Sequence, residues 1–358
     1  MTATLAGDEV GTDRHAAALD GIRRTERRRR TRRLVVAVLL FAVTVGSVVV
    51  ALNFGEITLE PGEVLAVALG GGEEVSRLVL LEFRLPRILL AALIGIGFGL
   101  SGALFQSVLR NPLASPDIIG ISQGATVGAV TGTLALGLTS GIAVQALAFV
   151  GALTVAALNF LVAWRGGLTG QRFVLCGIAL AFACTSAIGY LLTRTEVRDA
   201  QAAIAWMAGS VGSADYDVIA RTAIALVVLV PAALWLASRL GMLEMGDDVA
   251  SALGVAAVRI RIVAIGVGVL LAAVATAAAG PVPFIALTAA PIARRLVGDG
   301  RVALWHSALV GATIAVVADL VAQNALDDAQ VPVGVITGLI GGPYLIWVLS
   351  LSQRARRG

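Results

Sequence analysis

The chain has 358 residues, 58% of them apolar, with 27 basic and 23 acidic side chains and a formal net charge of +4. Its mean hydropathy of +0.91 is far above that of a soluble protein, and recurring apolar runs of about 20 residues, the length a bilayer core requires, leave no stretch for a soluble domain. All the positive charge is arginine; a phosphate-binding loop of the Walker type needs a lysine after its glycines, so this chain by itself is not an NTPase of that kind.

Residues 1–33 are polar and end in RRTERRRRTRR. The basic block is too long for a signal peptide, and the apolar run that follows, 34–52, is long enough to stay in the membrane. The expected reading is a disordered Arg-rich cytoplasmic tail and an uncleaved first span. Nucleic-acid binding by the arginines is the weaker alternative, because a basic block beside a span is what the orientation rule and anionic lipid require. Residues 53–82 read as an acidic loop.

Residues 84–132 then organise the chain as two glycine-rich membrane helices joined by a polar turn. Pro86 opens the first, where a first-turn N–H would be unpaired anyway; it carries Gly95, Gly97, Gly99 and Gly102. The turn is Arg110-Asn111-Pro112, closed by Pro116 and Asp117. The second helix places Gly120, Gly124, Gly128 and Gly132 at four-residue spacing, a slanted stripe along about 18 Å of helix. In lipid, close backbone approach through small residues holds helices together. The stripe, with Gly95 and Gly99, therefore predicts helix packing, and the glycine-rich helix before it is the expected partner.

Further spans are predicted at 141–164, 173–192, 219–238, 262–279, 284–297, 302–326 and 332–351. Residues 193–218 form a polar segment whose apolar piece, 202–209, is too short to cross. Gly280-Pro281-Val282-Pro283 separates two spans, and the connection 239–261 is the longest one expected on the cytoplasmic side. Cys176 and Cys184 fall eight residues apart in one predicted helix, about 12 Å along its axis, and cannot bridge within it. With His15 and His306 the only histidines, no usual metal-ligand spacing exists, and no cofactor is expected in this chain.

Arginine placement tests the count. With the N-terminus inside, the inside segments hold the N-terminal block, Arg110, Arg165, Arg172, Arg239, Arg259, Arg261, Arg294, Arg295, Arg301, Arg354, Arg356 and Arg357. The outside holds Arg77, Arg84, Arg87, Arg194, Arg198 and Arg221. That asymmetry supports an all-α polytopic protein of about ten spans with both termini inside: a permease domain over 34–352 and a cytoplasmic C-terminal tail over 353–358.

Several long motifs occur in fixed order: RLPR at 84–87, RNPLASPDIIGISQGA at 110–125, WMAGS at 206–210, MGDDVASALGV at 245–255, GPVPFIAL at 280–287, IARRLVG at 292–298, ADL at 318–320 and PVGVITGLIGGPY at 332–344. Over nearly the whole chain after the tail, this pattern resembles the FecCD family of ABC-transporter permeases, membrane subunits that import ferric siderophores, haem and vitamin B12. The resemblance implies the type II ABC importer fold: ten helices per subunit and two subunits around a central path. It also implies a substrate-binding lipoprotein outside the membrane, and ATP and Mg²⁺ held on two separate ATPase subunits.

The resemblance also carries roles onto residues. Arg84 and Arg87 match arginines that dock onto glutamates of the binding protein, through exposed guanidinium groups able to pair bidentately with carboxylates; simple interfacial snorkelling is the alternative. Asn111 and Leu113 match a cytoplasmic gate, or else form an ordinary tight turn. Asp247, Asp248, Ala250, Leu253 and Gly254 match the segment coupled to the ATPase, against the alternative of a solvated amphipathic helix. Asp319 lies inside a span and is a functional candidate by default, although a buried helix-packing acid or a position near the boundary is the preferred reading. Gln323 stands where a third docking arginine is usual, Ala290-Pro291 where Pro-His is usual, and Gln330 where Glu is usual. These departures favour an asymmetric, heterodimeric pair of permeases. An ion-coupled secondary transporter would want clustered intramembrane charges beyond Asp319, and a membrane enzyme would need convergent polar groups at one depth.

Overall fold

The structure, a computed structural model, describes residues 5–55, 57–138, 141–164, 170–326 and 331–357, with side chains described between residues 20 and 346 apart from Ile22. Arg165, Gln330 and the side chains of His15 and of the C-terminal tail lie outside the described residues. Every regular element among the described residues is helical.

The first helix, α1, runs Leu5–Asn53. The basic block expected as a disordered tail instead continues the first span as helix. Arginine is a good helix former, and a helix already nucleated in the membrane extends at the cost of only one residue per hydrogen bond. The acidic segment after it is also partly ordered. It holds α2 (Pro61–Ala68), whose Glu63 carboxylate accepts the Glu60 N–H at 2.8 Å, and α3 (Glu74–Leu78). A π-helical turn, Val79–Arg84, leads from α3 into α4 (Leu85–Leu109).

Helix α4 is the hub. Nineteen of its 25 residues are buried, because its small residues let three other helices approach its backbone. A Cβ at Gly95 or Gly99 would strike the main chain of α13 (Leu304–Asn324) at Gly311 and Ser307, and one at Gly102 would land on the Ala286 carbonyl of α12 (Ile285–Val297). On another face Gly97 meets Ala275 of α11 (Ala257–Ala279) at 3.3 Å.

The stripe Gly120–Gly124–Gly128–Gly132 belongs to the turn, α5 (Ile121–Val130) and its π-helical extension Thr131–Ala135. It packs as predicted, but against a different partner. Cβ atoms at Gly124 and Gly128 would meet Gly151, Val155 and Leu147 of α6 (Gly141–Ala163), while Gly120 faces Gly177 of α7 (Gly170–Thr193) and Gly132 faces Leu147. Helix α4 is not available because α13 and α12 already occupy its small-residue face. Both cysteines lie unpaired and half-buried on α7.

The remaining elements are α8 (Val197–Met207), α9 (Tyr216–Glu244), α10 (Asp247–Ala252) and α14 (Val333–Arg357). Among the described residues seven helical stretches are long and apolar enough to cross a membrane, with Val333–Ile346 a shorter apolar helix. A count of ten requires α5 with its extension, α12 and α14 to cross as well.

Packing at the hub is tested by paired glycine substitutions. Gly102→Ala should destabilise the protein by about 1–3 kcal/mol through overpacking. Gly266→Ala, with nothing within 4 Å of the added carbon, should be neutral or stabilising by up to about 1 kcal/mol through helix propensity. Thermal unfolding in detergent checks both.

Candidate transport path and coupling site

Three motifs far apart in sequence meet where α11 breaks. Gly280 and Gly209 adopt φ of +73° and +70°, conformations that favour glycine, and side chains there would strike Trp206 and Pro281 backbone. Ser210 N–H donates to the Ala279 carbonyl at 2.8 Å, and Gly334 N–H donates to the Gly209 carbonyl at 3.1 Å. Phe284, with a φ of +69°, lays its ring where a Cβ of Gly341 would fall. Non-helical backbone at membrane depth is tolerated against protein or a water-filled cavity. A cavity of about 920 Å³ opens beside the junction, with Thr133, Gln145, Asp199, Trp206, Ser210 and Ser213 in its walls.

At the N-terminal end of α4 the two candidate arginines turn inward. Arg84 is 6% exposed; its guanidinium donates to the Leu52 carbonyl at 2.7 Å and to that of Ile57, pinning the chain that leaves α1. Arg87 is 8% exposed and Asp319, on α13, 2%. Arg87 Nε lies 2.9 and 3.0 Å from the two Asp319 oxygens, and its Nη2 lies 2.9 Å from Oδ1. Gln323, one turn along α13, donates to Asp319 Oδ2 at 2.8 Å. The exposure assumed for both arginines is therefore corrected: a buried charge needs a partner and hydrogen bonds, and each guanidinium finds them inside the fold. Asp319 is buried between α13 and α4, with Arg87 and Gln323 as its partners.

At the C-terminal end, Arg110 caps α4 with a left-handed φ of 49°. Asn111 Oδ1 accepts the Leu113 N–H at 3.0 Å, an Asx turn of the kind that breaks a helix locally. Asn111 lines a polar cleft of about 270 Å³ with Gln106, Ser107, Glu244 and Arg294. Farther along the turn, burial pushes the Asp117 carboxyl up to about 6, against the opposing hydrogen bond from Ser122.

Arg110 also reaches across to the end of α9 and to α10. It donates to the Leu243 carbonyl and, at 2.9 Å, to Asp247 Oδ1. Arg261, at the start of α11, holds the same carboxylate at 2.7 and 2.8 Å. The Arg261 hydrogen bond, more than the nearby charges, holds Asp247 below the usual carboxylate range. Around this tie α10 and the residues flanking it expose apolar side chains: Met245 (66%), Val249 (42%) and Leu253 (58%). Asp248 is exposed, Ala250 is fully buried beneath, and Gly254 ends the segment with a φ of +78°.

Residues 39–350 match the model of the FecCD transport family. The chain belongs to that family. It is 39% identical to the ferric enterobactin transport system permease protein FepG of Escherichia coli, over 91% of this chain and 98% of the relative. It is 32% identical to the Fe(3+)-citrate import system permease protein YfmE of Bacillus subtilis, with the same two coverages. The fold matches a solved structure described as an inward-facing ABC transporter of metal-chelate type with a TM-score of 0.79 at 26% identity, covering 88% of this chain and 98% of that one.

This FecCD protein is thus a multi-pass inner-membrane permease of an ABC importer, not an enzyme, and ATP hydrolysis belongs to a separate subunit. Two of its structural features escaped sequence reasoning. Arg110 was placed in the turn after the first organising helix and on the cytoplasmic side, but its tie to Asp247 and to the end of α9 was not foreseen. The meeting of residues 206–210, 280–284 and 332–334 left a signal only in their glycines, Gly209, Gly280 and Gly334.

The buried pair yields a sharp contrast. Arg87→Gln should cost about 3–5 kcal/mol by stranding the Asp319 charge, whereas the double change Arg87→Leu with Asp319→Leu should be neutral or stabilising. Unfolding midpoints in detergent measure both.

Proposed function

We propose that this permease serves an importer of ferric siderophores. The protein pairs with a second permease around a central path, takes its cargo from an extracytoplasmic substrate-binding lipoprotein, and is driven by two cytosolic ATPase subunits that hold the ATP and Mg²⁺. Cargo then moves by alternating access between the two permeases. In this arrangement both termini, the turn 110–120 and α10 face the cytoplasm, as the arginine asymmetry favours. The departures at Gln323, Pro291 and Gln330 favour a heterodimer. The siderophore assignment rests on relatives named for ferric enterobactin and ferric citrate.

The observation that carries the coupling role is the tie at Asp247. Helix α10 offers an apolar rim suited to a protein groove, and its first carboxylate is bonded to both Arg110, beside Asn111 and Leu113, and Arg261, at the foot of α11. Movement of α10 with a closing ATPase would therefore pull on the proposed gate directly and tilt α11, a rigid-body route to alternating access. Docking of the binding protein through Arg84 and Arg87 requires an exchange in which an incoming carboxylate replaces their internal partners, and for Arg87 it must offset the cost of breaking the buried pair with Asp319.

Arg110→Gln tests this. The Arg110–Asp247 pair is half-exposed, so its loss should change stability by less than about 1 kcal/mol. Uptake of a ferric siderophore should nevertheless fall about tenfold, with ATP hydrolysis retained, in proteoliposomes containing all partner subunits. Uptake driven by an ion gradient without the ATPase, or equal uptake by the variant, would refute the proposal.

A further inference from the structure

The geometry points to an anionic-phospholipid headgroup site, built from the basic extension of α1 and the connection between α12 and α13. The arginine block of this extension lies before residue 39, where the match to the family model begins. It does not depend on the proposed substrate.

The extension is fastened along one side. Arg33 pairs with Asp299 through both carboxylate oxygens, one at 3.0 Å. Arg32 donates to the Leu296 carbonyl at 3.2 Å, at the C-terminal end of α12, where cations are favoured. His306 Nε2 lies 3.0 Å from the Arg33 carbonyl, and Arg301 Nη2 lies 3.5 Å from Glu26. Burial alone would raise the Asp299 carboxyl, but the Arg33 hydrogen bond and neighbouring charges hold it below its ordinary range. The fastening therefore stays ionised at neutral pH.

Between the fastened surfaces lies a cavity of about 720 Å³, walled by seven arginines and three acids. Those acids already face Arg33, Arg301 and, loosely at 3.9 Å, Arg23. Arg24, Arg27 and Arg30 have no acidic partner among the described residues. Three guanidinium groups on adjacent turns offer paired N–H donors of the shape that phosphate oxygens accept.

The occupant follows from position. Arg33 is followed at once by Leu34, 65% exposed, and by the exposed Val38, Leu39 and Phe41, the lipid-facing stripe of the same helix. At about 1.5 Å per residue, Arg30 sits about 6 Å and Arg24 about 15 Å beyond Leu34 along the helix. The headgroup layer of each leaflet is about 5–8 Å thick. The inner part of the cavity therefore lies among lipid phosphates and its outer part just beyond them, where a headgroup with a second charge would reach.

The test uses the full chain, purified in neutral detergent, with phosphatidylglycerol, cardiolipin, phosphatidylcholine or inorganic phosphate added. Native mass spectrometry should show the anionic lipids retained, and their apparent affinity should fall at least tenfold in the triple variant Arg24→Gln, Arg27→Gln, Arg30→Gln. Equal retention of phosphatidylcholine, or unchanged binding by the variant, would overturn the site. Competition by inorganic phosphate at matched concentration would overturn the lipid assignment. Should the variant fold poorly, a photoreactive phosphatidylglycerol on the unaltered protein should crosslink within residues 23–33 or at Arg301. Adducts confined to other helices would overturn the site.

Discussion

Inside a bilayer an apolar side chain gains nothing by leaving lipid for another helix, so the approach of one main chain to another decides how α4 is held. At Gly95, Gly99 and Gly102 no room exists for a methyl group, because carbonyls and Cα atoms of α13 and α12 stand there. Gly311 returns the contact from the α13 side, where a Cβ would strike the Gly95 carbonyl. The rest of the bundle is arranged around this nesting. With these helices on α4, the second small-residue stripe is left to pack α5 on α6, and α11 packs against α4, α5 and α6 within one shared core.

The same hub explains why polar chemistry collects at the two ends of α4. At its beginning, Arg84 holds the segment leaving α1 and Arg87 holds Asp319 on α13. At its end, Arg110 holds the end of α9 and the start of α10. Desolvation makes the Arg87–Asp319 pair costly to break and therefore locks α4 to α13. The half-exposed Arg110–Asp247 pair adds little stability and is suited to transmit movement. Helix α4 thus carries a buried ion pair at one end and a half-exposed one at the other, the arrangement on which the proposed coupling rests.

Much of this was legible in the sequence. Apolar length located the long spans, and the ordered motifs carried the family. The glycine spacing marked the packing faces, since a stripe of small residues demands a close neighbour. It did not say which neighbour, because that depends on which helix the stripe of α4 had already engaged. Arg84 and Arg87 were read as exposed because the resemblance matched them to docking arginines at the outer boundary; the acid that draws Arg87 inward is 232 residues away. The block at residues 23–33 was read as tail because its composition is that of a solvated segment. Its helical form comes from continuity with the span and from Asp299, a single acid in a distant connection.

Sidedness tests the proposed coupling most directly. With Cys176 and Cys184 replaced, single cysteines at Leu253 on α10 and at Leu69 in the acidic segment before α4 can be labelled with a membrane-impermeant maleimide, in right-side-out and inverted vesicles. The account predicts labelling of Leu253→Cys only in inverted vesicles and of Leu69→Cys only in right-side-out ones. Labelling of both from the same side would contradict it.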